Sequence, residues 1–150
     1  MTIDEFKVSV TVNAPQHEVW KALVDWKSQG EWMALTHVTS TVDDGGESGV
    51  GTEIRAFTGI GKVGVWDEMR VTSWDPPSLC TVDHYGKLIK GIGEFRLTAV
   101  TTTTTRFDWY EKINAPALLL ALIKPGVLIA VYFSLRRFAR SVNAGYHNTQ

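Results

Sequence analysis

The sequence contains a single cysteine, Cys80, among its 150 residues. One thiol cannot form an intrachain disulfide, and a lone cysteine in a strand-like segment is usually a small core residue. The first residues, MTIDEFK, also lack the basic segment and the apolar run of a secretory signal peptide. Both absences favour a reducing compartment, and we therefore predict a cytoplasmic protein.

The chain has no surplus of positive charge, with 15 Lys and Arg residues against 16 Asp and Glu residues. Binding to nucleic-acid phosphates needs a concentrated basic surface, so this balance gives no reason to expect a nucleic-acid partner. The distribution is uneven, because no acidic residue follows Ala115. The segment after it carries four basic residues, Lys124, Arg136, Arg137 and Arg140.

Motifs for nucleophilic catalysis and for cofactor binding are missing as well. No serine stands in a G-x-S-x-G motif. GIGKVG, residues 59–64, matches the G-x-G-x-x-G dinucleotide motif, which works only where it opens a helix. Here the strand-like VGVWDEMRV continues from it, so these glycines predict a hairpin loop. The histidines show no metal-ligand spacing: His17, His37, His84 and His147. We therefore expect no metal and no cofactor.

What the chain does contain is a regular order of strand and helix patterns within a length typical of one domain, residues 1–150. Apolar and polar residues alternate from Phe6 to Val12, which predicts a first strand. NAPQHEVWKALVDW then has helical spacing, and EWMAL adds one more helical turn. Six further strands are predicted by alternation between turn residues: His37–Val42, Val50–Phe57, Val63–Trp74, Leu79–Tyr85, Gly91–Val100 and Thr103–Ile113.

The last segment predicts one long helix. In NAPALLLALIKPGVLIAVYFSLRRFAR, Asn114 can cap the helix, Pro116 suits its first turn, and Pro125 should kink or briefly break it. As a membrane span this segment is borderline, because a central charge such as Lys124 costs about 3 kcal/mol on insertion scales. Consecutive hairpins followed by a long helix predict an α+β fold, in which the helix covers one face of a mainly antiparallel sheet.

Four stretches in this order resemble the polyketide cyclase/dehydrase-like branch of the START and Bet v 1 (SRPBCC) superfamily: VNAPQHEVWKALVDWKSQGEW, GVGTEI, VTSWDPPSL and GEFRLTAVTTTTTRFDWYEKI. The resemblance implies a helix-grip fold. In this fold a seven-stranded curved antiparallel sheet wraps around the C-terminal helix, and two short helices lie between the first two strands. It also implies an internal cavity for an apolar ligand.

Strand alternation places apolar side chains and two carboxylates on the concave face. The carboxylates, Asp67 and Glu111, would serve as general base and acid in a cyclisation or dehydration, with Tyr85, His84 or Arg55 polarising a carbonyl. Alternatively, they pair with Arg55 or Arg96, or a bulge turns them to solvent. The expected ligand-binding residues are Trp109, Phe107, Phe95, Leu97, Met69, Val65, Ile54, Tyr85, Leu119 and Ile123.

The function predicted first is binding of a hydrophobic small molecule, such as a lipid, a quinone or a polyketide-like aromatic. The alternatives are a polyketide aromatase/cyclase enzyme and a lipid-handling protein at a membrane surface. In the second half of the long helix, Val131, Leu135, Phe138 and Val142 fall on one stripe, as expected for a helix that packs on the core. The first half, Leu118–Ile123, is apolar all round, so packing on the sheet explains only one of its faces. We expect this segment to form a mobile lid whose outer surface contacts a membrane transiently or forms a homodimer.

Overall fold

The computed structural model describes residues 1–150, and its strands form one curled sheet. Seven strands were predicted and seven are present, in the order β1-β7-β6-β5-β4-β3-β2, with every neighbouring pair antiparallel. Register shifts at Val71/Ser73 and Ala99/Thr101 add bends of the kind that bulges produce. The strands are β1 (Thr2–Val12), β2 (Thr36–Ser40), β3 (Glu53–Ile60), β4 (Val63–Asp75), β5 (Leu79–Tyr85), β6 (Lys90–Thr101) and β7 (Thr104–Ala115).

Two short helices connect β1 to β2, as predicted. Helix α1 (Gln16–Leu23) begins directly after Pro15, and α2 (Gln29–Trp32) follows a 3-10 turn at Trp26–Ser28. The apolar side of α1 packs against the sheet, where the Trp20 and Trp74 rings meet edge to face at 5.1 Å. This aromatic contact helps to hold α1 onto the sheet.

The GIGKVG stretch forms the β3–β4 hairpin and not the start of a helix. Gly59 and Gly64 are paired across the two strands, and Gly61 in the turn has a φ of 62°. Positive φ is readily available to glycine, which explains its place at the turn. Because no helix begins here, the backbone geometry of a dinucleotide site is missing, and the hairpin prediction is confirmed.

The long helix α3 runs from Ala117 to Asn148 without interruption. One detail of its prediction is wrong, because Asn114 lies in β7 and does not cap the helix. Of the kink or brief break predicted at Pro125, the break is absent. Proline removes one backbone donor, which leaves the carbonyl of Ala121 without its helical partner. Both residues are exposed, so water can bond to that carbonyl and the helix continues.

The second half of α3 packs into the concave face of the sheet. Its buried side chains recur at helical spacing, as predicted: Val131, Leu135, Phe138 and Val142. The Phe138 ring lies 5.6 Å from the Phe107 ring and 4.8 Å from the Trp32 ring, between centroids. By length and composition α3 could also cross a membrane. In this structure, its buried stripe packs against the concave face of the sheet.

Cys80 is the small core residue that its strand context predicted. Its side chain is fully buried in β5. Burial raises the pKa of the thiol to about 12, because the apolar surroundings disfavour the thiolate. The thiolate is the reactive form of cysteine, so this residue contributes packing and not chemistry.

Candidate functional site

A cavity of about 310 Å³ lies between the sheet and the first half of α3. Hydrophobic residues form 21 of the 27 that line it. The walls come from every strand except β5, from the segment between Trp26 and Ala34, from Ile89 and from α3. Of the predicted ligand-binding residues, seven line this cavity: Ile54, Val65, Met69, Phe95, Trp109, Leu119 and Ile123.

Three of the predicted ligand-binding residues lie elsewhere. Leu97 and Phe107 point inward but are buried nearer the other end of the sheet, where Phe138 fills the space against Phe107. Tyr85 is on the outer face, because β5 turns Cys80, Val82 and His84 inward and the next residue must face the opposite way. The guanidinium of Arg70 lies 5.2 Å from the centre of the Tyr85 ring.

Both predicted carboxylates line the cavity, and a histidine lies between them. His84 Nδ1 is 2.8 Å and 3.0 Å from the two carboxylate oxygens of Asp67. On the other side of the ring, His84 Nε2 is 2.7 Å from Glu111 Oε2. This contact is an ion pair that lacks the geometry of a hydrogen bond. We call Asp67, His84 and Glu111 the acid–histidine cluster. His84 itself does not line the cavity but lies behind the two carboxylates.

A glycine in β6 makes room for this cluster. His84 on β5 and Glu111 on β7 meet across β6, where Gly93 is paired with Glu111. A Cβ atom at Gly93 would lie 3.1 Å from His84 Nε2 and 3.2 Å from Glu111 Oε1, tighter than ordinary contact. The missing side chain therefore lets strands that are not neighbours bring their side chains together.

The surroundings of the cluster determine its charges. Burial by itself would lower the pKa of His84, but the adjacent Glu111 and Asp67 carboxylates outweigh burial and raise that pKa to about 10. His84 is therefore an imidazolium at neutral pH, consistent with a carboxylate at each ring nitrogen. Burial raises the pKa of Glu111, and the nearby imidazolium offsets this only in part. Glu111 thus holds a proton more readily than an ordinary glutamate does.

The predicted arginine pairing of the carboxylates is wrong. Arg55 lies 3.5 Å from Glu68 and its guanidinium stacks over Trp66, while Arg96 lies 3.9 Å from Glu94. These arginines occupy the outer face, so they cannot reach the cavity. From the sequence, His84 was predicted only to polarise a carbonyl. The alternation along β5, which places His84 on the same inward face as Cys80 and Val82, was the sequence signal for its position.

The match to a family model decides where the chain belongs. The family described as polyketide cyclase / dehydrase and lipid transport matches residues 4–143, nearly the whole sheet and most of α3. The chain belongs to this family. No curated protein sequence is significantly similar to this polyketide cyclase/dehydrase family protein.

Solved structures show the same fold at low sequence identity. The Zhui aromatase/cyclase from Streptomyces sp. R1128 is 16% identical, with a TM-score of 0.72 and 94% of each chain covered. Norcoclaurine synthase from Thalictrum flavum, in complex with dopamine and hydroxybenzaldehyde, is 12% identical, with a TM-score of 0.67 over 94% of this chain and 87% of that one. A START superfamily protein from Mycobacterium smegmatis is 12% identical, with a TM-score of 0.66 over 97% and 99%. These likenesses confirm the helix-grip fold.

The first half of α3 has two different sides in this polyketide cyclase/dehydrase family protein. Leu119, Leu120 and Ile123 line the cavity, whereas Leu118 and Leu122 are exposed. The segment therefore separates the cavity from the outside, which is the position required of a lid. The mobility of this segment stays a prediction. Amide exchange in residues 118–123 that is as slow as in residues 135–142, or slower, would contradict it.

Proposed function

We propose that the protein binds a hydrophobic small molecule, such as a lipid, a quinone or a polyketide-like aromatic, between the sheet and α3. The observation that carries this proposal is the cavity, with 21 apolar residues among the 27 that line it. Its volume of about 310 Å³ lies at the lower end of the roughly 300–1,000 Å³ typical of ligand pockets. An apolar ligand would replace water along these walls, which is favourable. The small volume favours a compact ligand.

Binding is tested by titrating ¹⁵N-labelled protein with flavonoid-like aromatics and with 2-ethylnaphthalene. We expect chemical-shift changes at cavity-lining residues. In Val65→Trp the larger side chain should fill part of the cavity and weaken binding at least about tenfold, or 1.4 kcal/mol. Val63→Trp is the matched control, because Val63 lies two residues away on β4 but is exposed. Absence of binding by every apolar compound would contradict the proposal.

A second candidate function is an aromatase/cyclase, favoured by the acid–histidine cluster at the cavity wall. Asp67 would remove a proton from the carbon next to a substrate carbonyl. Glu111, whose pKa is raised by burial, would protonate the oxygen that gains the charge. His84 would position both carboxylates. The cavity would hold the substrate in a folded conformation.

The enzyme candidate requires a turnover assay with a poly-β-keto substrate. The double variant Asp67→Asn with Glu111→Gln removes both proton-transfer groups and keeps the size of the side chains. We expect turnover to fall by at least about a hundredfold, since general acid–base catalysis contributes 10²–10⁴-fold. Unchanged turnover in a folded double variant would rule out these catalytic roles.

A third candidate is lipid handling at a membrane surface, with the protein otherwise in the cytoplasm, where Cys80 stays reduced. The exposed side of α3 is apolar along several turns and then basic. The residues are Leu118, Leu122, Ile129 and Phe133, followed by Arg136, Arg137 and Arg140. Such a pattern suits an anionic membrane surface. Equal recovery in liposome flotation with and without anionic lipid would count against it.

A further inference from the structure

We propose that the cavity selects ligands whose polar end donates hydrogen bonds, a hydroxyl or a protonated amine, and rejects ligands that end in a carboxylate or a phosphate. This inference rests on the proposed binding function and adds the chemical class of the ligand to it. It follows from an inventory of the polar groups that the cavity presents.

Hydroxyl and amide groups at the cavity wall are already engaged within the protein. Ser134 Oγ donates to the carbonyl of Ala130 and accepts from the Ala34 amide. Gln29 Nε2 donates to the carbonyl of Leu23. Thr36 donates to a backbone carbonyl and also pairs with Thr58. These groups therefore have little donor capacity left for a ligand. The indole N–H groups of Trp26 and Trp32, two further lining residues, have no hydrogen-bond partner, but both nitrogens are buried and do not reach the cavity surface.

Positive charge is absent from the cavity wall. No lysine, arginine or histidine is among the lining residues. The His84 imidazolium is 3% exposed, lies behind the two carboxylates and has one of them at each nitrogen, so it presents no donor to a ligand. Lys124, whose Nζ lies 5.5 Å from the ring centre of the cavity-lining Phe6, is paired with Asp4. An anionic ligand end would lose its hydration, meet two carboxylates and gain no cation in return. Such uncompensated burial of charge is strongly unfavourable.

Hydrogen-bond acceptors, in contrast, are in excess at the two carboxylates of the acid–histidine cluster. Glu111 is 7% exposed, lines the cavity and contacts His84 through Oε2, while no protein donor is bonded to its Oε1. Asp67 lines the same cavity, and about a fifth of its side chain is accessible. Two carboxylates against one imidazolium leave one negative charge in excess when both acids are ionised. A hydroxyl or an ammonium group would satisfy this excess.

The test compares four probes with the same apolar body. They are 2-ethylnaphthalene, 2-(2-naphthyl)ethanol, 2-(2-naphthyl)ethylamine and 2-naphthylacetate, titrated into the wild-type protein at pH 7 and followed by calorimetry or by chemical shifts. We expect the alcohol, the amine or both to bind at least about tenfold more tightly than the acetate. The comparison between the alcohol and the amine tells which donor the cluster prefers.

The outcomes separate this inference from the function on which it rests. If 2-ethylnaphthalene binds but the acetate binds as tightly as both the alcohol and the amine, ligand selection fails and cavity binding stands. If no probe binds, the proposed function fails as well. In Glu111→Gln we expect the discrimination against the acetate to shrink at least about tenfold. Glu94→Gln, which removes the same charge on the outer face of β6, should retain it. If Glu111→Gln does not fold, the wild-type series decides.

Discussion

Replacing His84 with leucine should lower the free energy of unfolding by about 3–5 kcal/mol at pH 7, the range found when one partner of a buried ion pair is removed. Without the imidazolium, Asp67 and Glu111 would face each other across an apolar space with no positive charge between them. Urea denaturation measures the loss. His37→Leu, which removes an exposed histidine from β2, is the control and should change stability by less than about 0.5 kcal/mol.

Two further measurements distinguish this electrostatic cause from lost packing. Adding Glu111→Gln to His84→Leu should recover part of the loss, because the second substitution removes one of the buried negative charges. The pH dependence has a defined sign, since the pKa of His84 is raised from 6.5 to about 10 in the folded state. Its contribution is complete below pH 6.5 and is lost as the pH rises through about 10. A gap between wild type and His84→Leu that stays constant over this window would contradict the assignment.

Phe107→Ala is expected to lower the free energy of unfolding by about 3–5 kcal/mol and to leave the ligand affinity of the folded protein unchanged. The Phe107 ring is fully buried, with its centroid 5.6 Å from that of Phe138 and 6.4 Å from that of Phe95. Its removal opens a void in the core that does not belong to the ligand cavity. Urea denaturation and ligand titration on the same sample measure both quantities.

Trp109→Ala is the matched comparison, two residues farther along the same face of β7. Trp109 lines the cavity and is 7% exposed, whereas Phe107 is fully buried. We expect a smaller loss of stability than for Phe107→Ala and at least about a tenfold loss of ligand affinity. If Phe107→Ala weakens binding as strongly as Trp109→Ala does, the boundary drawn here between core and cavity is wrong.

The elements of the fold were predictable because their signals are local. Alternation along β7 turned Phe107, Trp109 and Glu111 to one face, and helical spacing identified Leu135 and Phe138 as buried. These patterns depend only on the period of the backbone. The predictions of a cap at Asn114 and a break at Pro125 failed for a different reason. The pairing of β7 with β1 extends through Asn114, and Pro125 lies on an exposed side of α3, where water can bond to the carbonyl that loses its partner.

The alternation of side chains along the strands also predicted that Asp67 and Glu111 face inward. It could not tell which of the inward residues contact each other. That depends on register across four strands. His84 lies opposite Met69 on β4 and opposite Gly91 on β6, and Gly93 leaves the gap through which it reaches Glu111. The alternation likewise could not separate Phe107, which packs on Phe138, from Trp109, which lines the cavity. Both face inward on one strand.

The sequence by itself determined seven antiparallel strands, two short helices, a long covering helix and two carboxylates on the concave face, since periodicity is a property of neighbouring residues. Only the tertiary structure decided that these carboxylates share one buried imidazolium and that the apolar first half of α3 divides between cavity and exterior. Both outcomes depend on contacts between residues far apart in the chain, where a shift of one residue in register would bring different side chains together.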